Sequence, residues 1–339
     1  MTVIEIKGSS GCSRLLIGES IAGFRKYLPA GRTIVITDKV VSDLYGSLWV
    51  DFQEIIIGQG ESVKTLETVH MIVKRLLDLD AGRNVFLLGI GGGIVCDVAG
   101  FVASVFMRGV RFGFISTTLL SQVDASVGGK NGVNFDGFKN IIGVFNQPEF
   151  VLCDPAVLKT LDRSEISNGL AEIVKHALIA DAAMFDFIEQ NAEAVMGLGK
   201  EEVAHLVFRS AEIKSAIVNR DEKETGERRK LNFGHTFGHA IEKIAGISHG
   251  RAVSVGMVIA ARVSKERGYL SEQDLERIVR LLTKLELPVT LPLQPDSIFD
   301  ALSKDKKRED DAIRFVLLKS IGEAVVEELP VHVIRKIKI

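Results

Sequence analysis

Three histidines, His235, His239 and His249, fall within fifteen residues, in LNFGHTFGHAIE (Leu231 to Glu242) and SHG (Ser248 to Gly250). Four residues separate His235 from His239, so on a helix they share a face. His249 follows close enough to fold back on that helix. Imidazole is a common metal ligand, and several imidazoles converging on one point suit zinc or a similar divalent ion. NGLAEIVKH (Asn168 to His176) adds a carboxylate, Glu172, with Lys175 one helical turn away. Glu172 can complete a two-histidine, one-carboxylate site that leaves a position open for substrate. Lys214, Arg228, Arg229 and Lys230 precede the histidines, and as a group they suit a substrate bearing phosphate and carboxylate. Spacing alone leaves the plainer alternatives open, namely capping or surface histidines, an exposed ion pair and solvated cations.

A second chemistry is written in glycine. GIGGGIVCD (Gly89 to Asp97) follows an apolar run and opens a helical one. Glycines let a backbone approach a phosphate closely, and a helix N-terminus favours an anion. The dinucleotide pattern G-x-G-x-x-G is incomplete, because Ile94 stands at its third glycine. Thr117 and Thr118 close the next apolar run, where hydroxyls can bond ribose or phosphate or simply cap a helix. Gln122 to Asn140 reads as a long glycine-rich loop carrying Asp124, Lys130, Lys139 and Asn140. It does not fit the nucleoside-triphosphate loop, since Asn131 follows Lys130.

These residues need elements to hold them. Arg32–Asp38, Phe52–Gly58, Asn84–Ile90 and Arg111–Thr117 read as buried strands. Ser62–Leu79 has helical periodicity, with Val63, Leu66, Val69, Ile72 and Leu76 on one stripe, and Cys96–Phe106 reads as a small-residue buried helix. Strands alternating with helices predict a mostly parallel sheet, with ligands beyond its carboxyl ends. After Pro155 the pattern turns helical: Ser164–Asn191, Lys200–Asn219, Leu231–Ala245, Ala252–Arg267, Ser271–Leu285 and Pro295–Leu302. The expected organisation is therefore an α/β chain, with a mostly parallel sheet domain over 1–154 and a helical domain over 155–339. IRFVLLKSIGEAVVEEL reads as a late hairpin that can return to the sheet.

Bulk properties narrow the class. The 339 residues suffice for about two domains. A net charge of −2 gives no reason to expect nucleic acid or an anionic membrane as partner. Three scattered cysteines, Cys12, Cys96 and Cys153, argue against a disulfide framework and for a reducing compartment. No leader pattern and no membrane-length apolar run is evident, so a cytoplasmic protein is expected.

GGGIVCDVAGF, MRGVRF, STTLLSQVDASVGGK, KNIIGVFNQP, GLAEIVKHALI, RRKLNFGHTFGHAIE and SHG, in this order, resemble 3-dehydroquinate synthase, a sugar-phosphate cyclase family. The resemblance runs from about Ile57 to Gly322. It implies a Rossmann-like domain and a C-terminal helical domain with the active site in their cleft, a homodimer, NAD, and a divalent metal, zinc or cobalt. The implied reaction is that of a lyase. It converts 3-deoxy-D-arabino-heptulosonate 7-phosphate to 3-dehydroquinate and phosphate, by transient oxidation, phosphate elimination, reduction and aldol closure.

The same resemblance implies roles. Glu172, His235 and His249 are the metal ligands, and His239 contacts substrate. Lys130, Asn140, Lys175, Lys214, Arg228 and Asn232 hold substrate, joined by Lys306 or Lys307. Arg108 reaches phosphate from a neighbouring subunit. Asp38, Glu61, Lys64, Gly93, Asp97, Thr117 and Thr118 bind NAD, with Asp124 and Lys139 linking cofactor to substrate. The chain departs from the family at Asn131, where threonine is more usual. FDGFKN stands for the frequent HPLGKN, Arg251 for glutamate and Cys96 for glycine. The rival readings are another sugar-phosphate cyclase, an NAD- and metal-dependent polyol or glycerol-phosphate dehydrogenase, and a non-catalytic binding homologue.

Overall fold

The computed structural model describes residues 1–292, 294–303, 312–335 and 337. The chain divides into two compact units. The first comprises Met1–Leu161 with Lys214–Lys223, and the second Asp162–Ile213 with Glu224–Ile339.

The first unit is built on strands β1 (Thr2–Gly8), β2 (Gly11–Ile17), β3 (Thr33–Asp38), β4 (Gln53–Ile57), β5 (Phe86–Gly91) and β6 (Arg111–Ser116). Three more follow, β7 (Lys130–Phe135), β8 (Phe138–Phe145) and β9 (Phe150–Cys153). Seven of them form one sheet in the order β1-β2-β9-β6-β5-β3-β4. Every pairing is parallel except β1 with β2. Strands β3, β5 and β9 are buried along nearly their whole length. Parallel strands covered on both faces read as continuous apolar runs rather than alternating ones, which is why VFLLGI and TIVIT are visible in sequence. Three helices belong here: α1 (Lys39–Tyr45), α2 (Leu66–Asp78) and α3 (Gly93–Val105). The order reverses between β3 and β5, since β4 lies outside β3 while β5 lies on its other side. In open α/β sheets such a reversal leaves a crevice at the strands' carboxyl ends.

Several expectations are corrected. The region Gln122–Asn140 is not a loop. It is one turn of π-helix (Ser121–Ala125) followed by the β7–β8 hairpin. Asp136 and Gly137 both have positive φ, +50° and +75°, and lie between the paired Phe135 and Phe138. An Asp-Gly pair with that geometry makes the tight two-residue turn that matches strand twist. The β1–β2 hairpin and β9 have no counterpart in the sequence reading. The first unit also runs past Asp154, because Val157 joins the core that contains Phe24, Trp49 and Phe150.

The second unit holds α4 (Arg163–Ala180), α5 (Ala182–Gln190), α6 (Ala192–Met196) and most of α7 (Lys200–Arg220), whose residues from Lys214 on count with the first unit. It continues with α8 (His235–Ala245), α9 (His249–Glu266), α10 (Glu272–Lys284) and α11 (Pro295–Ser303). The single helix expected over Ser164–Asn191 breaks at Asp181. That residue is extended, and its carboxylate caps Met184 N–H at 3.0 Å. Among the described residues, strands β10 (Ala312–Ser320) and β11 (Glu323–Pro330) pair only with each other and do not return to the seven-stranded sheet. The hairpin is retained by its own unit: Gly322 N–H donates to Leu178 O at 2.9 Å, and Leu318 N–H to Ser264 Oγ at 2.9 Å.

Helices α8 and α9 approach almost backbone to backbone. A Cβ on Gly256 would lie 2.0 Å from Gly234 O, and one on Gly234 would lie 2.9 Å from Val253 O. Gly234 is also left-handed, at φ +79°, a conformation and a proximity that only glycine tolerates cheaply. This contact sets the start of α8, and with it His235, against α9.

Candidate metal centre and nucleotide cradle

In the second unit three elements converge. Glu172 is fully buried on α4, His235 is the first residue of α8 and His249 the first of α9. One ligand atom from each lies within 4.8 Å of the others. Nε2 of His249 is 3.3 Å from Glu172 Oε1, and Nε2 of His235 is 3.6 Å from the same oxygen. The opposite ring nitrogens are also engaged. Nδ1 of His235 donates to Phe233 O at 3.2 Å, and Nδ1 of His249 to Glu242 Oε2 at 3.4 Å. A carbonyl and a carboxylate accept only, so each ring turns its Nε2 toward Glu172. Metal-binding imidazoles are oriented by such partners on the far nitrogen.

Electrostatics separate the two rings. Burial first, then the nearby Lys175 charge, hold His235 well below the usual imidazole range, which keeps it neutral and basic at Nε2. Burial also works against charge on His249, but hydrogen bonds to Glu172 and Glu242 outweigh it and push its pKa up to about 9. Lys175 is ion-paired with Glu172 one turn along α4, both side chains being essentially buried. One carboxylate oxygen and two ring nitrogens, with His249 giving up its proton on binding, form a three-donor set that fits a tetrahedral divalent ion with one open position.

His239 lies near this set without joining it. Its ring centroid is 5.3 Å from that of His235 and 6.2 Å from that of His249. The spacing-based pair His235–His239 thus shares a helix face, whereas the converging ligand atoms are those of Glu172, His235 and His249. Arg228 is buried in the turn Glu227–Asn232 just before α8, and Asn232 Nδ2 donates to Glu224 Oε1 in the same region.

In the first unit the cradle is made of main chain. Gly92 caps α3 and Gly93 begins it, with no acidic residue in its first turn. A Cβ on Gly92 would lie 2.9 Å from Thr118 Cγ2, and one on Gly93 would lie 2.8 Å from Ala125 Cβ. Asp38 ends β3 across the order reversal, with its carboxylate accepting from Val41 N–H at 3.0 Å. Thr117 N–H donates to Gly91 O at 2.9 Å, and Thr118 and Ser121 bond reciprocally. Lys64 and Asp97 form a largely buried ion pair, and burial keeps Asp97 above the usual carboxylate range despite that lysine. Lys214 Nζ reaches both Asp124 O (2.5 Å) and Asp124 Oδ1 (2.6 Å). Exposed Glu61 accepts from Asn134 Nδ2 at 2.8 Å and faces Lys139 at 3.8 Å.

Family models match both halves: 3-dehydroquinate synthase N-terminal over residues 54–168 and 3-dehydroquinate synthase C-terminal over 169–308. A 3-dehydroquinate synthase from Thermoanaerobacter pseudethanolicus is 41% identical over 325 residues, covering 92% of this chain and 91% of that protein. The chain belongs to the 3-dehydroquinate synthase family. Solved relatives share the fold of this 3-dehydroquinate synthase family member. One is 2-deoxy-scyllo-inosose synthase complexed with carbaglucose-6-phosphate, NAD+ and Co2+ (TM-score 0.88, 26% identity, 99% and 98% of the two chains). Another is 2-epi-5-epi-valiolone synthase from Streptomyces hygroscopicus subsp. jinggangensis with NAD+ and Zn2+ bound (TM-score 0.88, 30% identity, 97% and 95%).

Within this family frame the remaining expected residues sit as follows. Lys130 opens β7, and Lys139 and Asn140 lie early in β8; all three are exposed. Asn140 is left-handed (φ +52°), and its N–H donates to Asn134 Oδ1 at 2.9 Å. Arg108 is exposed on a left-handed turn with Met107. Lys306 and Lys307 lie outside the described residues. The departures are structural in character. Asn131 is buried and spans the hairpin base, donating to Gly129 O (3.1 Å) and Asn146 O (2.8 Å). Cys96 is buried in α3 against Gly91 O at 3.9 Å, and Arg251 is exposed.

Two residues escaped the sequence reading. Glu242 is visible in retrospect as the third member of a helical stripe, His235, His239, Glu242, at i, i+4 and i+7. Gln122 is fully buried, and its Nε2 donates to Ser116 O (3.0 Å), at the end of β6, and to Asp154 O (2.9 Å), just after β9. It pins the π-turn that carries Asp124, and nothing in its spacing announces that.

Proposed function

We propose that this chain is a 3-dehydroquinate synthase that requires NAD and a divalent metal. It converts 3-deoxy-D-arabino-heptulosonate 7-phosphate to 3-dehydroquinate and phosphate. The observation that carries the reading is the buried Glu172–His235–His249 set, with both Nε2 atoms turned on one carboxylate oxygen. Glu172, His235 and His249 would hold the metal. Gly93, Asp38, Thr117, Thr118, Asp97, Lys64 and Glu61 would hold NAD. When bound, the metal polarises a ring hydroxyl of the substrate and NAD supplies a reversible hydride acceptor, regenerated in each turnover.

The protein's own groups do the rest. The α3 N-terminus offers unsatisfied N–H groups to a diphosphate. Lys175, held beside Glu172, keeps a positive charge next to the reacting hydroxyl. Lys214 and Arg228 are the cations we assign to the substrate's carboxylate and phosphate, with Lys130, Asn140, Asn232 and His239 on its hydroxyls and Asp124 and Lys139 between substrate and cofactor. Fixing one reactive pose of a flexible substrate is itself a large catalytic contribution, on the order of several kcal/mol.

We assign a homodimer as well. Val105, Met107, Phe135, Ile141 and Phe145 are exposed apolar side chains on the end of α3, the following turn and the hairpin packed against α3. Arg108 lies among them in sequence, as a residue offered to a neighbouring subunit would. Sedimentation velocity of the wild-type chain tests this, and a monomer at assay concentration would refute it.

Activity is tested by phosphate release from the heptulosonate phosphate with NAD and zinc or cobalt, while NADH absorbance is followed. Release without accumulating NADH, abolished by a chelator, is the expected result. No release from folded, metal-loaded protein would overturn the assignment, and steady NADH formation from a polyol would mark a dehydrogenase.

A further inference from the structure

Helix α9 begins without a cap of its own. Its N-cap residue, Ser248, makes no side-chain capping bond, and its buried Oγ has no hydrogen-bond partner among the described residues. A helix start leaves several N–H groups unsatisfied, and a buried one needs an acceptor. The acceptor comes from another helix. Asn168 on α4 takes the Gly250 N–H on its Oδ1 at 3.2 Å. The amide cannot be turned around, because Nδ2 donates to Glu165 Oε1 at 3.3 Å. Glu165 is itself one turn back on α4, so the three groups form a chain from α4 to the first turn of α9.

The placement of that chain matters. Asn168 precedes Glu172 by four residues on α4, one turn away on the same face. Gly250 follows His249 directly. The backbones are in close contact here too: a Cβ on Gly250 would come 2.5 Å from Asn168 Cα and 2.6 Å from Asn168 O. The segment that carries His249 is thus fastened to the segment that carries Glu172, one turn from the carboxylate. His235 is set independently by the glycine contact between α8 and α9.

We infer that Asn168 is a positioning residue of the metal set, fixing the His249 imidazole against Glu172 by capping α9 from α4. The inference rests on the metal reading given under Proposed function. It predicts that loss of the cap lets the first turn of α9 fray and His249 Nε2 wander, so that a metal binds with fewer ligands or in a distorted geometry.

The test is metal binding rather than turnover. Zinc and cobalt affinities, with the visible ligand-field spectrum of the cobalt form, are measured for wild type, Asn168→Ala and His249→Ala. If wild type binds no metal, the metal reading itself fails. If wild type binds and His249→Ala does not, the reading stands and Asn168→Ala decides the inference. The expected result is a Kd weakened about 10- to 100-fold, the usual scale for partners of metal ligands, with a shifted cobalt spectrum and unchanged far-UV circular dichroism. Wild-type affinity and spectrum in Asn168→Ala would overturn it. Should that variant not fold, amide exchange in metal-free wild-type protein decides instead. Protection at the Gly250 N–H supports the cap, and exchange at the rate of an open loop refutes it.

Discussion

The two candidate sites are built from opposite materials. In the second unit the site is side chain: a carboxylate and two imidazoles from α4, α8 and α9, each turned by a partner on its far side. In the first unit it is largely main chain: the strand end, the glycine turn and the bare N-terminus of α3, with neighbours so close that a Cβ at Gly92 or Gly93 finds no room. The difference follows from the ligands each would take. A small hard cation is recognised by a few donors at fixed short distances, which only side chains from separate elements can converge to supply. A diphosphate is recognised by many N–H groups in a concave arrangement, which requires backbone and the absence of side chains. One site therefore breaks when atoms are removed, and the other when atoms are added.

The largest effect is expected from removal in the second unit. His235→Ala should weaken metal binding and lower phosphate release by on the order of 100-fold or more, beyond what is typical for a ligand's partner. Metal titration alongside the activity assay checks this, and full activity in the variant would exclude His235 as a ligand. Next comes Lys64→Ala in the first unit, which strands Asp97 in a largely buried position. Breaking such a pair from one side costs about 3–5 kcal/mol. Chemical denaturation should register it, and Lys64→Met combined with Asp97→Leu should recover most of the loss. If the single variant is neutral, the pair is solvated and the contrast between the sites weakens.

How each site appears in sequence follows from the same contrast. Side-chain chemistry leaves residue types, so HTFGHAIE and SHG already point to a metal. Yet spacing ranks His235 with His239, because neighbours on one helix are all that spacing sees. The ligand atoms that converge are those of His235, His249 and Glu172, the carboxylate the sequence already offers from another helix, and His239 stays outside the group, in line with what the resemblance implies. Backbone chemistry leaves only glycines, and Ile94 breaks the expected pattern without altering the turn. The buried strands β3, β5 and β6 were readable because parallel strands covered on both faces are unbroken apolar runs, and β4, at the sheet edge, through its Ile55–Ile57 run. β1 was not, since its side chains are mostly exposed at the sheet edge and carry no apolar run. The hairpin β7–β8 hid behind its glycines, although Asp136–Gly137 is the kind of pair that closes a tight turn. Gln122 and Asn168 act by bonding backbone atoms remote in sequence, and that is settled only once the chain has folded.

Addition in the first unit is the next test. Gly93→Ala places a methyl 2.8 Å from Ala125 Cβ, and overpacking of this kind costs about 1–3 kcal/mol. The added group also stands at the first residue of α3, where the diphosphate would lie. NAD affinity, read by calorimetry, should fall by more than the stability change accounts for, while metal affinity stays at its wild-type value. Unchanged NAD binding would remove the glycine turn from the cofactor site.

The smallest effect is expected at Asp181, which links α4 to α5 without touching either site. Burial alone would raise its pKa, but the bonds from Arg209 and from Met184 N–H outweigh that and hold it below the usual carboxylate range. A folded pKa below the unfolded one means the carboxylate stabilises the protein at pH values above the unfolded pKa, about 3.9. That stabilisation drains away as pH falls through the folded value. Arg209 is about one-third exposed, so the pair adds little, and the cap should dominate. Asp181→Ala is thus expected to cost about 1 kcal/mol at neutral pH, with the gap to wild type narrowing below pH ~4. Thermal melts across that range check the sign. Metal affinity is the sharper readout. If it is unmoved, loosening the end of α4 does not reach Glu172, and the second site depends on its immediate partners. If it falls with stability, the metal set answers to the rigidity of the whole helix, and the contrast with the main-chain cradle is one of degree.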